Sequence, residues 1–192
     1  MKPLFVSFFT RGTGYEQQAE GLIESLVACG VEFKVEGAPN FGGWAANCQH
    51  KPVYLSRMMR LHPGRPLVWL DSDARVRQCP TLFDSLDCDF AATWKGEEML
   101  AGTLYLAPSP AAAKLLEDWQ NMNRWNPNGE YGDQGNLQKV IAASSDLRIG
   151  RLPASYTAIF DANMCPREEI VIEHLQASRK LKSRIPQRGD IS

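Results

Sequence analysis

The sequence predicts an α/β domain with a mostly parallel central sheet flanked by helices. Three observations carry this: an apolar strand, helix, strand unit at the N-terminus, a short unbroken apolar run at 66–70, and amphipathic stretches that alternate with strand-like runs thereafter. Strand, helix and strand in that order imply parallel pairing through a right-handed crossover. At 192 residues the chain is read as one domain over 1–192. A chain of this size buries about 70% of its unfolded surface without needing a disulfide or structural metal.

Leu4 to Phe9 is an aromatic-rich apolar run of strand length. Thr13 to Glu16 has capping-box spacing with Thr13 as N-cap. Ala19, Leu22, Ile23, Leu26 and Val27 then recur at helical spacing until Gly30 stops the helix. Val31, Phe33 and Val35 alternate with polar residues, as a strand does, and the Gly-rich stretch from Asn40 to Ala46 reads as a loop. Lys51-Pro52 opens a helix that ends at His62-Pro63-Gly64. Pro66 to Leu70 fits a central strand buried on both faces. Asp89 to Trp94 and Gly102 to Ala107 read as further strands. Ser109-Pro110 starts a helix running through Ala111, Leu115, Leu116 and Trp119 to the turn Asn126-Pro127-Asn128-Gly129. Another helix is expected from Asp133 to Ala143, then a last strand at Ile170-Val171-Ile172 and a basic tail from about 179. The tryptophans read mostly as core, with Trp44, in its Gly-rich loop, a candidate to stack on an acceptor.

The 21 basic and 22 acidic residues nearly cancel, to a net charge of −1. That balance argues against a protein whose main partner is nucleic acid or an anionic membrane, because such partners select a basic field. No apolar run approaches the roughly 18 residues of a membrane-spanning helix. The N-terminal run is short, contains Pro3 and meets Arg11, so it reads as a strand rather than a signal peptide. Five scattered cysteines with no C-x-x-C pair predict reduced thiols and a cytoplasmic location.

The segment that carries chemistry is Leu67-Val68-Trp69-Leu70-Asp71-Ser72-Asp73. An apolar strand ends in two carboxylates at i and i+2, which point the same way in extended backbone. Ligands of open α/β sheets sit beyond the carboxyl ends of strands. Two carboxylates so close repel unless a cation neighbours them, and hard oxygen ligands suit Mg²⁺ or Mn²⁺ shared with a substrate phosphate. A polar turn after a strand is the plainer reading of the same residues. Other nucleotide and hydrolase motifs are missing. Gln17 breaks the G-x-G-x-x-G that Gly12 and Gly14 begin, there is no G-x-x-x-x-G-K-[ST] and no G-x-S-x-G, and Arg75 stands where a D-x-D-x-[TV] phosphatase needs Thr or Val.

In this context the sequence resembles the metal-dependent glycosyltransferases of the GT-A fold, closest to family-8-like retaining enzymes within the nucleotide-diphospho-sugar transferases. The likeness runs from about Phe5 to Lys182. Its marks are the D-x-D segment, Ala101-Gly102-Thr103-Leu104-Tyr105-Leu106, the D-Q segment Tyr131-Gly132-Asp133-Gln134-Gly135-Asn136-Leu137, and Ile172-Glu173-His174 followed by Arg179-Lys180. The resemblance implies that Asp71, Asp73 and His174 hold Mn²⁺ or Mg²⁺, with Asp71 also near the ribose. It implies that Arg179 or Lys180 contacts the diphosphate and that Thr10, Arg11 and Tyr15 border the nucleoside. Lys51, Gly102 and Thr103 become donor-site candidates, Asp133 binds the donor sugar, and Gln134 lies near the anomeric carbon. The implied activity is transfer of a sugar from a nucleotide-diphosphate donor, a UDP-sugar, to a hydroxyl acceptor on a glycan, a protein or a modified nucleic acid. The D-Q pair leans towards retention. Two alternatives stand beside it: a non-catalytic module that binds nucleotide-sugar or metal, and a nucleotidyltransferase of the same fold. The short chain leaves little room for a dedicated acceptor lobe.

Overall fold

The structure is a computed structural model that describes residues 1–127 and 132–186. Asn128-Gly129 of the expected turn, Tyr131 of the D-Q segment and the last residues of the tail lie outside the described residues. The strands are β1 (Leu4–Thr10), β2 (Phe33–Ala38), β3 (Leu67–Leu70), β4 (Ala74–Val76), β5 (Phe90–Lys95), β6 (Glu98–Leu106), β7 (Ile149–Arg151), β8 (Ala158–Ile159) and β9 (Ile172–His174). The helices are α1 (Tyr15–Ala28), α2 (Trp44–Gln49), α3 (Lys51–Leu61), α4 (Pro110–Trp125), α5 (Gly132–Ala143) and α6 (Ser178–Leu181).

Six strands form the central sheet in the order β2-β1-β3-β6-β5-β7, and β4, β9 and β8 form a small second sheet. Parallel pairing joins β1 to β2, β1 to β3 and β5 to β7, while β6 runs antiparallel to both β3 and β5. Successive strand side chains point to opposite faces, so a strand covered on both sides must be apolar throughout. Leu67 and Trp69 accordingly join Leu4, Val6 and Phe8 in one core with Tyr54, Leu55, Leu116 and Trp119 of α3 and α4. Val68 and Leu70 join Phe5 in the other, beneath Leu22 and Leu26 of α1.

Several boundaries differ from the sequence expectation, each for a local reason. The stretch read as a loop turns into α2 at Trp44, because Asn40 Oδ1 accepts from the N–H groups of Gly42 and Gly43 and organises the turn into the helix. Thr13 does not cap α1. Its hydroxyl accepts from Tyr15 N and donates to Thr10 O, Glu16 accepts from Gly12 N, and Gly14 takes the cap position. The last strand begins at Ile172 rather than Ile170, since Val171 already bonds to Ser155 and Arg77. The strand expected from Gly102 starts at Glu98, within a hairpin whose turn holds Gly96 at φ 63°. Trp125 is not core but 87% exposed.

The helix that carries the D-Q pair is moored by three asparagines. Asn136, with 0% exposure, donates to Asn123 Oδ1 and Asn126 O, both at 2.9 Å, and accepts from Asn126 Nδ2 at 2.9 Å. Asn136→Ala strips partners from buried polar groups, each costing about 1–3 kcal/mol. We expect urea unfolding to show a loss of that size. An unchanged midpoint would mean that the network contributes nothing to the docking of α5 on α4. All five cysteines are free. Among the described residues no helix is long and apolar enough to cross a membrane.

Candidate functional site

A cavity of about 510 Å³ opens beyond the carboxyl ends of β1 and β3, within the volume range of small-molecule sites. Thr10 and Tyr15 line it where β1 passes into α1, Trp44, Cys48 and Lys51 line it from α2 and α3, and Asp71, Ser72 and Asp73 from the end of β3. Ala101 and Gly102 of β6, Asp133 and Gln134 of α5, and His174 complete its walls.

The chain geometry explains how the acidic pair is held. Asp71 N donates to Gly102 O at 2.9 Å, and Ala74 N donates to Asp71 O at 2.9 Å, closing a tight turn over Ser72-Asp73. Trp69, two residues earlier on the same face, donates its indole N–H to Asp71 Oδ1 at 2.8 Å. The antiparallel pairing of β4 with β9 sets Ala74 opposite His174 and so brings the imidazole beside Asp73. Leu175 N donates to Asp73 O at 3.2 Å and Ala177 N to Asp73 Oδ2 at 2.7 Å. Gln176, between them, sits at φ 53°, a conformation that costs a non-glycine residue of order 1 kcal/mol and that these flanking bonds hold.

Ligand atoms of Asp71, Asp73 and His174 all lie within 4.8 Å of one another. His174 Nδ1 is 3.8 Å from Asp73 Oδ1, and Nε2 is 2.9 Å from Thr103 Oγ1. Gly102 makes room for the ring, since a Cβ there would stand 2.8 Å from His174 Cε1. Burial works to raise the Asp73 carboxyl, but its contacts with His174 and the Ala177 N–H outweigh burial and hold it below its ordinary value. Asp71 is pushed up, first by loss of hydration and then by Asp73, against the opposing pull of Lys51.

Lys51 is the central cation. Its ammonium stands 3.0 Å from Asp71 Oδ1 and 3.5 Å from Asp133 Oδ2, donates to Ala101 O at 3.1 Å, and lies 5.2 Å from the centre of the Trp69 ring. Burial opposes its charge, but the two carboxylates more than compensate and hold its pKa above the ordinary value. Asp133 Oδ2 is buried yet has no hydrogen-bond partner. Gln134 is clamped, accepting from Ala101 N at 3.0 Å and donating to Glu98 Oε1 at 3.1 Å. Cys48 forms an uncharged wall, its thiol pushed up by burial and by Asp133.

Of the residues singled out from the sequence, Thr10, Tyr15, Lys51, Asp71, Asp73, Gly102, Asp133, Gln134 and His174 meet at the cavity. Four lie elsewhere. Arg11 lies against Gly37 of β2, where a Cβ would be 2.7 Å from its Nε. Thr103 does not line the cavity, and its hydroxyl lies 2.9 Å from Nε2 of His174, which does. Arg179 pairs with Asp161 over the Phe160 ring, and Lys180 follows it on the exposed side of α6. Lys182, which no motif marks, instead stands 5.7 Å over the Trp44 ring, and Trp44 donates to the Tyr15 hydroxyl at 3.1 Å. Cys48, Gln176 and Ile185 also line the cavity without a sequence signal. The tail reaches it because Leu181 packs on Gly14 and Pro186 O accepts from Asn40 Nδ2 at 2.9 Å.

No protein-family model matches the sequence, and no curated protein matches it. Solved structures do resemble the fold. One is a glycosyltransferase involved in the glycosylation of the major capsid of PBCV-1, with TM-score 0.73 and 16% identity over 92% of this chain and 93% of that one. Another is the glycosyltransferase GlyE of Streptococcus pneumoniae TIGR4, with TM-score 0.64 and 17% identity over 90% of this chain but only 55% of that one. A third is the galactosyltransferase LgtC in complex with donor and acceptor sugar analogues, with TM-score 0.53 and 11% identity over 89% of this chain and 86% of that one. At these identities the likeness establishes the fold, an α/β architecture of the GT-A-like kind.

Proposed function

We propose that this protein is a divalent-metal-dependent glycosyltransferase that moves a sugar from a UDP-sugar to a hydroxyl acceptor. The observation that carries the reading is the meeting of Asp71, Asp73 and His174, with ligand atoms within 4.8 Å, in one cavity at the carboxyl end of a central strand. The residues fit a cation: two carboxylates and one imidazole form a donor set suited to Mn²⁺ and acceptable to Mg²⁺. Burial first and repulsion from Asp73 second push Asp71 up, and a cation at this point offsets both by favouring the carboxylate. Bound there, it supplies positive charge where the departing diphosphate becomes negative.

The rest falls to the chain's own side chains. Asp133 Oδ2, ion-paired with Lys51 at 3.5 Å but without a hydrogen bond, has acceptor capacity left, and a sugar hydroxyl is a donor that would use it. Lys51 holds that carboxylate and Asp71 in fixed relation, so the sugar and the cation site share one anchor. Gln134, clamped on both sides, presents a fixed polar wall to the anomeric carbon, in keeping with a retaining outcome. Thr10 and Tyr15 border the nucleoside. Lys182 over Trp44 supplies positive charge at the diphosphate end, a role for which Arg179, already paired with Asp161, is less suited. The free cysteines are in keeping with a reducing, cytoplasmic setting. We take 1–192 as one donor-binding domain with its basic tail beside the mouth, and the acceptor as a glycan, a protein or a modified nucleic acid.

The test is release of free sugar from a panel of UDP-sugars, with Mn²⁺, with Mg²⁺ and after chelation, alongside melting temperatures in the same mixtures. We expect stabilisation by UDP only when a divalent ion is present, and slow donor hydrolysis that chelation removes. Hydrolysis indifferent to chelation would refute the metal assignment. Tight binding without turnover of any donor would favour the non-catalytic module.

A further inference from the structure

We infer that Cys29 and Cys79 form a reversible disulfide when the protein meets a small-molecule disulfide, and that this bond braces α1 against β4. The inference is independent of the sugar-transfer reading, since neither sulfur lines the cavity.

Two segments distant in sequence bring the thiols together. Cys29 follows the last turn of α1, where its N–H donates to Ser25 O at 3.3 Å, and Cys79 lies just beyond β4. Ser25 Oγ accepts from Val76 N at 3.0 Å and so joins α1 to β4. Arg77 N and Gln78 N both donate to Val171 O, at 2.8 and 3.3 Å, which fixes the approach to Cys79 from the other side. The Cys79 thiol donates to Cys29 O at 3.8 Å. Burial, then the hydrogen bond and the charge of Cys79, push the Cys29 thiol up to about 11, so the two side chains act on each other directly. Cys48, Cys88 and Cys165 are each raised by burial first, and their further neighbours are charged side chains or backbone rather than a second thiol. Among the described residues no third His, Cys, Asp or Glu joins Cys29 and Cys79 within metal-ligand reach, so the pair lacks the ligand set of a structural zinc site.

Thiol–disulfide exchange closes the bond in two steps. The exposed Cys79, as its thiolate, attacks one sulfur of the small disulfide and expels the other as a thiolate. Once Cys79 is in that mixed disulfide, its charge and its hydrogen bond no longer hold Cys29 protonated, and burial alone opposes ionisation. The Cys29 thiolate then attacks the Cys79 sulfur and expels the second small thiolate. The two released thiolates take up the two cysteine protons, so one small disulfide is reduced to two thiols as one protein disulfide forms. An excess of small thiol runs the sequence backwards. The bond ties α1 to the chain beside β4, the strand whose partner β9 carries His174.

The experiment incubates the full chain with oxidised glutathione, with reduced glutathione as control, then alkylates remaining thiols and maps the peptides by mass spectrometry. We expect a Cys29–Cys79 linked peptide that lacks the two thiol hydrogens and vanishes on reduction. The link closes a loop of about fifty residues, so the melting temperature should rise by on the order of 10 °C and fall back with dithiothreitol. Cys29→Ser and Cys79→Ser should each lose that rise, whereas Cys165→Ser should keep it. A lasting glutathione adduct on Cys79, a link from Cys79 to any other cysteine, or a Cys79 left as free thiol in the folded protein would overturn the inference. So would a rise in melting temperature that survives in Cys79→Ser.

Discussion

Asp73→Asn is expected to cut sugar transfer by on the order of 10³-fold, roughly 4 kcal/mol of transition-state stabilisation, while the protein stays folded. The asparagine oxygen still accepts from Ala177 N, so the turn that joins the acidic segment to the chain after His174 keeps its closure. What disappears is a negative charge at the point where Asp71, Asp73 and His174 converge. Asp73→Ala removes both, leaving the buried Ala177 N–H without its acceptor at a further cost of about 1–3 kcal/mol. Comparing the two variants therefore separates charge from closure. Stability should also carry a pH signature in metal-free protein. The Asp73 carboxyl is held below its ordinary value, so its contribution is present above about pH 4 and is lost as pH falls through the lower folded value. The melting-temperature gap between wild type and Asp73→Asn should close across that acid window. An Asn variant with undiminished, Mn²⁺-dependent transfer would remove Asp73 from the metal site.

The legibility of this site in the sequence followed the length scale of each interaction. Asp71 and Asp73 stood out because both the apolar run before them and their spacing of two are local properties of extended backbone. The position of His174 depends on β4 and β9, strands of three residues each, too short for any alternation to mark. Their pairing joins segments nearly a hundred residues apart in the sequence, and only the family resemblance pointed to it. The choice among neighbouring basic residues in the tail was not readable at all. Arg179 is drawn to Asp161 and Phe160, and Lys182 to Trp44, partners contributed by distant parts of the chain. Thr103 was singled out as a donor-site residue yet does not line the cavity and instead meets His174, because strand alternation gives the face of a side chain and not what occupies that face. Helix α2 escaped notice for a related reason: the side chain that organises its start, Asn40, lies outside the helix and within the glycine-rich segment that read as a loop.

Lys51→Met should lower stability by about 3 kcal/mol, near the lower end for breaking a buried ion pair, because the Asp71 side chain remains 40% exposed. For a chain of this size that corresponds to roughly 6–12 °C in melting temperature. The methionine retains an apolar stem over Trp69, so the loss reports charge more than packing. It also frees Ala101 O and leaves Asp71 and Asp133 without the ammonium that stands between them. Asp71 is already pushed up in the wild type, and removing the ammonium removes the main influence holding it down. Above the ordinary carboxylate value, about pH 4, the folded variant then binds more protons than its unfolded chain, so linkage makes its stability rise as pH falls. The deficit relative to wild type should accordingly shrink as pH is lowered towards that value. Donor binding offers a second readout, since Lys51 fixes the carboxylate assigned to the sugar. Added Mn²⁺ should recover part of the lost stability, because a cation between Asp71 and Asp73 relieves their repulsion, but it should not restore transfer while Asp133 lacks its anchor. A deficit that does not change as pH is lowered would instead show that the protonation of Asp71 does not depend on the Lys51 charge.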